Sequence, residues 1–434
     1  MDKTTGQDFI EACKHKRATS QPRMQTPFPM APLQLPKLPQ YWAWTSLSEI
    51  CERVSVGHVG ITSKFFDNTG NGIRFVRSQD VRPGRLMTDN AISITKEFHQ
   101  KLKKSQLKSG DVLIVRVGAN RGDVCIVPDG IGELNCANIV FARPMFPNRF
   151  IEYYLRSSFG QDVLLSMTTG AAQGVINTQT IAAMPIPIPP RPTQQRIADI
   201  LSAYDELIEN NTRRIRILEQ IAQAVYQEWF GRVDKETMPE GWKMATIEDY
   251  GDVITGKTPS KAVDNYWNSR DVPFIRTPDM HNQFYCIETT DYVSVEGANS
   301  QKKAFIPPNS LCVSCIGTVG IVTITPVRAQ TNQQINSVVL NDLSDLEFLY
   351  FELLGLKEIL QRYAAVGATM ANLSKGKFMS VNVQCPPKEL REKFHAAASP
   401  MFEQIKNLQY KNAKLRQTRD LLLPRLVSGE IELQ

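Results

Sequence analysis

The chain has 434 residues, about three times the ~150-residue prior for one domain, which excludes a single small module. Hydrophobic residues make up 42% and charged residues 22%, near globular averages, which excludes wholesale disorder. The formal net charge is +6, with residues 38–190 net basic and 238–387 net acidic, so nucleic acid is an admissible partner that charge alone does not establish.

Residues 1–37 carry Pro22, Pro27, Pro29, Pro32 and Pro36 with little periodicity after Phe9. They are expected to form a Pro-rich arm, largely extended or disordered. Residues 38–190 mix short β-branched runs (111–117, 124–127) with a helix-like stretch at 150–165, which gives an α+β domain. In 191–237, Thr193 can cap a helix after Pro190-Arg-Pro192. Seam residues then fall at Ile197, Leu201, Tyr204, Ile208, Asn211, Ile215, Leu218, Ala222, Val225 and Trp229, in steps of four or three. Charges at Asp205, Glu209, Arg213, Arg214 and Glu219 lie off this seam. Such a helix is roughly 57 Å long, far more than one domain needs.

Residues 238–387 repeat the α+β pattern, with β-branched runs at 311–316 and 321–325 and a helix-like stretch at 346–363. In 388–434 a second seam runs through Phe394, Ala398, Met401, Ile405, Leu408, Asn412, Leu415, Arg419 and Leu422. Pro400 is expected to kink its first turns. Each seam has one Asn near its middle, the kind of buried polar position that fixes register. No apolar run approaches the ~18 residues of a membrane helix, and the N-terminus lacks a charged-then-apolar signal pattern, so a cytoplasmic protein is expected.

The two halves are copies of one unit, offset by about 200 residues. Phe75-Val-Arg-Ser-Gln-Asp80 returns as Phe274-Ile-Arg-Thr-Pro-Asp279, and Asp111-Val-Leu-Ile-Val-Arg-Val-Gly118 as Ser310-Leu-Cys-Val-Ser-Cys-Ile-Gly317. Asn138 returns as Asn336, and the Gly170-Ala171 turn leading to Pro189-Pro190 as Gly367-Ala368 leading to Pro386-Pro387. Two matched seams favour mutual pairing. One helix leaves each globular part, so antiparallel pairing would place those parts at opposite ends of a rod.

Catalytic motifs fail on inspection. Gly251-Asp-Val-Ile-Thr-Gly256-Lys257-Thr258 fits GxxxxGK[ST], but neither a core strand before it nor a good helix after it is legible, and the first copy lacks it. Cys312 and Cys315 form a CxxC in a strand-like run, where an i,i+3 pair points to opposite faces and cannot chelate one ion without a bend. The eight scattered cysteines read as free thiols, and no metal site is expected. A metal nuclease would need a lysine two positions beyond Glu288, where Thr290 stands, and no methyltransferase tetrapeptide of the acid-or-Asn-Pro-Pro-aromatic kind occurs. No catalytic residue is assigned.

The candidate DNA-contacting residues are basic. The first copy offers Arg74, Arg77, Lys101, Lys103, Lys104, Arg116 and Arg121. The second offers Lys257, Lys261, Arg270, Arg276, Lys302, Lys303, Lys375 and Lys377. A solvated surface is the ordinary account of each cluster; their occurrence at matching places, including Arg77 with Arg276, favours a shared role.

The Pro-x-x-Trp openings, Gly256-Lys-Thr-Pro-Ser260 followed by Tyr266-Trp267, Thr331-Asn-Gln-Gln334, the Gly-Ala turns leading to Pro-Pro and the long helix after each resemble the specificity subunit of type I restriction-modification enzymes over residues 38–434. That resemblance implies two target-recognition domains, 38–190 and 238–387, each reading half of a bipartite, asymmetric DNA target. It implies that the helices in 191–237 and 388–434 pack antiparallel as a ruler and dock two adenine methyltransferase subunits, with motor-nuclease subunits joining the full complex. It also implies that the chain itself neither methylates nor cuts. S-adenosylmethionine and ATP would then be bound by the partners, with no cofactor in this chain. The competing readings are a nucleotide-using enzyme around Lys257, a stand-alone nuclease, and a duplicated scaffold that binds only proteins.

Overall fold

In the computed structural model the described residues are 5–18, 35–146, 149–166, 174–231, 238–365 and 371–433. The chain separates into two compact units, residues 1–206 with 416–434 and residues 207–415. Each unit is mixed α and β, and each repeats one architecture.

In the first unit an antiparallel sheet runs in the order Cys51–Val56, Ile139–Pro144, Val112–Val115, Val124–Ile126. Its central strands are buried on both faces, and the period of two sorts their side chains. Leu113, Val115 and Phe141 point into one cluster with Val76, Leu134 and Cys136 of a second sheet. Val112, Ile114, Val140 and Ala142 point into another, with Phe150, Tyr154, Leu155 and Leu164 of the helices Phe150–Arg156 and Ser158–Ser166. Each large apolar side chain buried this way contributes about 1.5–3 kcal/mol. The second sheet has the order Ile92–Ile94, Ile73–Val76, Leu134–Cys136, Gln106–Leu107, with its central pair parallel. A two-stranded sheet joins Ala43–Ser46 to Pro185–Ile188.

The second unit repeats this arrangement. One sheet has the order Gly251–Thr255, Ile335–Leu340, Leu311–Ser314, Val322–Ile324. The other has the order Asp291–Val293, Val272–Ile275, Ala329–Thr331, Phe305–Ile306, again with a parallel central pair. Lys243–Thr246 pairs with Asn382–Cys385. Identical strand order and the same single parallel pairing make the duplication structural.

Two 40-residue helices, Arg191–Phe230 and Lys388–Val427, contribute to the units, and the boundary between units falls inside both. At 1.5 Å per residue each is about 60 Å long. Within the second unit they run antiparallel: Asn211 Nδ2 donates to Asn412 Oδ1 at 2.9 Å, and Phe394 meets Trp229 and Phe230 at centroid distances of 5.9 and 5.1 Å. Within the first unit, Ile197 and Leu201 share a core with Leu423, Leu426 and Val427, while Arg419 Nη1 donates to Asp205 Oδ1 at 2.7 Å. The seam residues Ile197, Leu201, Asn211, Ile405, Leu408 and Asn412 are buried, and Tyr204, Ile208, Ile215, Leu218, Leu415 and Leu422 are half-buried.

Four sequence expectations need correction or fall outside the described residues. The arm is not extended throughout: Gly6–Ala18 is a helix whose Phe9, Ile10 and Cys13 are buried in the first unit's core, because those three residues fall on one helical stripe. Residues 19–34 lie outside the described residues, as do both Gly-Ala turns and 232–237. Pro400 does not interrupt the distal helix, which is continuous from Lys388 to Val427. One missing N–H costs a single hydrogen bond, and the flanking turns are held by buried Phe394, Ala398, Phe402 and Ile405. The central helix starts at Arg191, two residues before Thr193, with Pro192 in its first turn, where an absent N–H is harmless. No described helix is long and apolar enough to cross a membrane.

Candidate nucleic-acid interface

Strand register gathers four connections at one end of each unit. In the first, Val56 lies opposite Val140 and Val115 opposite Ile139, while Val76 lies beside Cys136 in the second sheet. The loop after Val56, the turn Ser78–Asp80 led by Arg77, the segment 136–138 and the loop 116–121 therefore emerge together. In the second unit Thr255 pairs with Asn336, Ser314 with Ile335 and Ile275 with Thr331. That brings together the loop after Thr255, Arg276 with the turn Thr277–Met280, segment 332–334 and loop 315–320.

These connections are fixed by polar contacts. Gly118 and Gly317 take positive φ (88° and 76°) at matching tight turns, a conformation that favours glycine. Asn120 Nδ2 donates to Ser78 O at 3.5 Å, Arg121 Nη1 to Gly174 O at 2.7 Å, and Ile176 N to Arg116 O at 3.0 Å. In the second unit Gly317 N donates to Ala371 O at 3.0 Å and Leu373 N to Cys315 O at 2.8 Å, which carries the Lys375–Met379 helix to the same end. Thr258 Oγ1 donates to Gln333 Oε1 at 2.7 Å, and Asn332 Nδ2 to Gln334 Oε1 at 2.9 Å.

The basic residues divide accordingly. Arg77, Arg116 and Arg121 meet at this end of the first unit, and Lys257, Arg276, Lys375 and Lys377 at the corresponding end of the second, while Lys261 lies further along the loop after Thr255, next to Ser260, whose carbonyl accepts from Trp267 Nε1. Lys103 with Lys104, and Lys302 with Lys303, occupy equivalent turns, Lys103–Ser105 and Lys302–Ala304, at the edge strand of each second sheet. Lys101 ends the helix Lys96–Lys101 just before the first of these turns. Arg74 and Arg270 sit apart, near the opposite ends of their strands; Arg74 Nη1 donates to Ile131 O at 3.3 Å. The lysines, Arg74, Arg121 and Arg270 are exposed, whereas Arg77, Arg116 and Arg276 are half-buried.

The matched pair Arg77 and Arg276 is tied down. Their backbone N–H groups each donate at 2.8 Å to a buried carboxylate three residues on, Asp80 and Asp279. The Arg77 guanidinium lies 3.4 Å from Asp80, and that of Arg276 lies 3.1 Å from Asp291. Asp279 also accepts from Thr290 N and Oγ1, so its carboxylate is consumed as a turn cap.

The phosphate-loop-like segment is not built as one. The residues before the motif end in the short helix Ile247–Tyr250, the strand Gly251–Thr255 lies within the motif itself, and after Gly256 comes a loop and then the short turn Asp264–Tyr266, so the segment does not open a helix as a phosphate loop does. Gly256 has a different reason: a Cβ there would lie 2.1 Å from Asn332 O, and at the equivalent Gly57 it would lie 2.5 Å from Cys136 O. Cys312 and Cys315 belong to opposite faces of their sheet, against Ser337 Oγ and Asn336 Nδ2 respectively. Burial pushes their thiols up to about 12 and about 11, so both stay protonated at neutral pH.

A charged knot went unread in the sequence. In the first unit Asp205 accepts from Tyr153 Oη (2.9 Å), Arg156 Nη1 (3.1 Å) and Arg419 Nη1 (2.7 Å), while fully buried Glu152 accepts from Arg149 Nε at 2.9 Å. Asp205 therefore faces Arg419 instead of lying off the seam in solvent. Burial would raise its pKa, but Arg156 and Arg419 outweigh it and hold the carboxyl below its usual value. In the second unit the helix Leu346–Gly355 is bound to the long helices differently. His395 Nδ1 lies 2.6 Å from Glu347, Arg391 pairs with Asp345, and Tyr226 Oη donates to Glu352. The available signal was the i,i+3 and i,i+4 spacing of Arg149, Glu152 and Arg156.

Residues 39–220 and 239–416 each match the family model described as the type I restriction modification DNA specificity domain. The specificity subunit of the type I restriction enzyme HindI from Haemophilus influenzae is 30% identical, over 90% of this chain and 99% of its own length. The MjaIX specificity subunit from Methanocaldococcus jannaschii is 27% identical over 66% of this chain and 70% of its own. The crystal structure of a type I restriction-modification system S subunit from M. genitalium superposes with a TM-score of 0.59 at 14% identity, covering 91% of this chain and 97% of that one, which shows a shared fold.

Proposed function

Because this chain belongs to the family of type I restriction-modification specificity subunits, with two target-recognition domains, we propose that each domain reads one half of a bipartite, asymmetric DNA target. The observation that carries the reading is the duplicated sheet end, where the same four connections bring basic and amide side chains together in both units. Lys257, Lys261, Lys375 and Lys377 in one unit and Arg121 in the other are exposed and suited to phosphate oxygens. Gln333 and Gln334, whose amide oxygens are oriented by Thr258 and Asn332, are suited to a base edge. Arg77 and Arg276 act first on their own turns, holding each connection in shape.

The paired helices set the distance between half-sites and offer the docking surface for two adenine methyltransferase subunits. Those partners supply S-adenosylmethionine chemistry, motor-nuclease subunits supply ATP hydrolysis and cleavage, and this chain contributes recognition without catalysis. The test is co-expression with a cognate methyltransferase followed by genome-wide mapping of modified adenines. A split, asymmetric motif with a constant gap is expected; scattered or palindromic modification would refute the reading. Binding measured over a salt series should fall linearly on log-log axes, whereas a protein-only scaffold would show no such slope.

A further inference from the structure

The two units present different chemistry at the same place in the fold. The loop following Thr255 displays Lys257 and Lys261, both exposed. The equivalent loop following Val56 carries its exposed lysine, Lys64, further along and displays at its tip Val59, 65% exposed, and Ile61, 76% exposed. The two aliphatics flank Gly60, where a Cβ would lie 3.0 Å from His58 Nε2, and together they form an apolar tip.

This tip stands on a rigid base. His58 N donates to Cys136 O at 2.8 Å and Asn138 N to His58 O at 3.0 Å, which bolts one foot to the sheet. The other foot is held by Phe65, whose ring stacks on Phe98 at 3.9 Å, by Thr95 N donating to Phe65 O at 3.0 Å, and by Asp67 N donating to Ser93 O at 2.9 Å. Ala137 N donates to Val76 O at 2.9 Å, so the anchored foot adjoins the strand end that carries Arg77. An apolar tip on a fixed stem, continuous with a basic and amide-bearing surface, suits the one apolar group a DNA major groove presents, the thymine 5-methyl.

We propose that Val59 and Ile61 are specificity-determining residues that pack on a thymine methyl in the half-site read by the first recognition domain. The inference rests on the DNA-recognition reading above and adds to it the base and the contacting side chains. The second domain, with Thr258 and Ser260 standing as far beyond Gly256 as Val59 and Ile61 stand beyond the equivalent Gly57, makes no such contact there.

The test uses the chain in complex with its methyltransferase partner and target duplexes in which each thymine of both halves is replaced singly by deoxyuridine, which removes only the methyl group. At fixed salt the unaltered complex should lose about fourfold in affinity at one or two thymines, all in a single half, about what burying one methyl group is worth. In the Val59→Ser/Ile61→Ser complex, thymine and uracil duplexes should bind alike, at the level the unaltered complex shows for uracil. Association with the methyltransferase and the salt slope should stay unchanged. Indifference to every substitution, a thymine effect that persists in the variant, or loss of methyltransferase association would each overturn the proposal while leaving sequence-specific binding, and so the DNA-recognition reading, intact. A complex with no sequence preference at all would refute that reading and the proposal with it.

Discussion

Removing one heptad from each long helix should shorten the gap in the modified DNA sequence without altering either half. The deletions are 208–214 and 411–417, chosen so that the pair Asn211 and Asn412 leaves together. Cutting only the first would strip Asn412 of its partners, the Asn211 amide, Ile208 O and Thr212 Oγ1, and the loss of register would obscure the ruler. Both cuts preserve seam phase, since seven residues at 3.6 per turn restore the same face to within ~20°. Asp205 with Arg419 in the first unit, and Ile215 with the Ile405 core in the second, are untouched. Each helix becomes shorter by about 10 Å at 1.5 Å per residue, equivalent to about three base pairs at 3.4 Å each. The assay is modified-adenine mapping in cells expressing the shortened chain with its methyltransferase. Half-sites unchanged and a gap reduced by about three base pairs are expected. An unchanged gap, from a variant that still folds and methylates, would refute the idea that the helices measure distance.

Three further outcomes follow from the geometry. Gly256→Ala forces a Cβ against Asn332 O and should destabilise the chain by about 1–3 kcal/mol in denaturant titration, whereas Lys257→Ala should stay within about 0.5 kcal/mol, bind no less nucleotide than the unaltered chain, and lower the DNA salt slope by about one. Asn211→Ala leaves the buried Asn412 Oδ1 without its donor and should cost about 1–3 kcal/mol; replacing both asparagines with leucine should instead raise Tm while broadening the gap distribution in the methylation map. Asp205→Asn should cost about 3 kcal/mol, the lower end for breaking a buried pair, because Asp205 keeps 16% exposure. Its carboxyl is depressed in the folded state, so its stabilisation is present above the unfolded value of ~3.9 and is lost as pH falls through the folded value. Thermal melts should therefore show an acid limb below about pH 4 that is weaker in Asp205→Asn.

What could be read before the structure was what repeats. The four-three rhythm of the seams and the matched runs around Phe75 and Phe274 expose periodicities that any side chain of the right class satisfies, and the duplicated sheets follow from them. Individual pairings were less legible. Asp205 looks like a solvated charge on a helical wheel because its partners, Arg156 and Arg419, are distant in sequence. The helix Gly6–Ala18 was hidden by the prolines after it: its Phe9, Ile10 and Cys13 make too short a stripe to outweigh that composition. Among the basic clusters, sequence could pair Arg77 with Arg276 but could not show that the backbone N–H of each is committed to a turn carboxylate, since Asp80 and Asp279 read equally well as exposed loop acids.

The two units also hold the long helices by different chemistry. In the first, the contact is a charge knot in which Arg149, Arg156 and Arg419 converge on Asp205 and Glu152. In the second, the aromatic cluster of Tyr226, Trp229, Phe230, Phe348 and Phe394 carries the packing, and the polar contacts are the Asp345–Arg391 pair, the Tyr226–Glu352 hydrogen bond and the His395–Glu347 pair. Hydrophobic packing alone is tolerant of sliding, because one apolar layer resembles the next. Directional pairs are not, since Asp205 displaced by one turn would lose Tyr153, Arg156 and Arg419 at once. The amide pair Asn211 and Asn412 gives the second unit, rich in apolar layers, the same intolerance. The ruler role proposed above would require that intolerance more than stability, and polar groups at positions where leucine would bind more tightly fit that proposal.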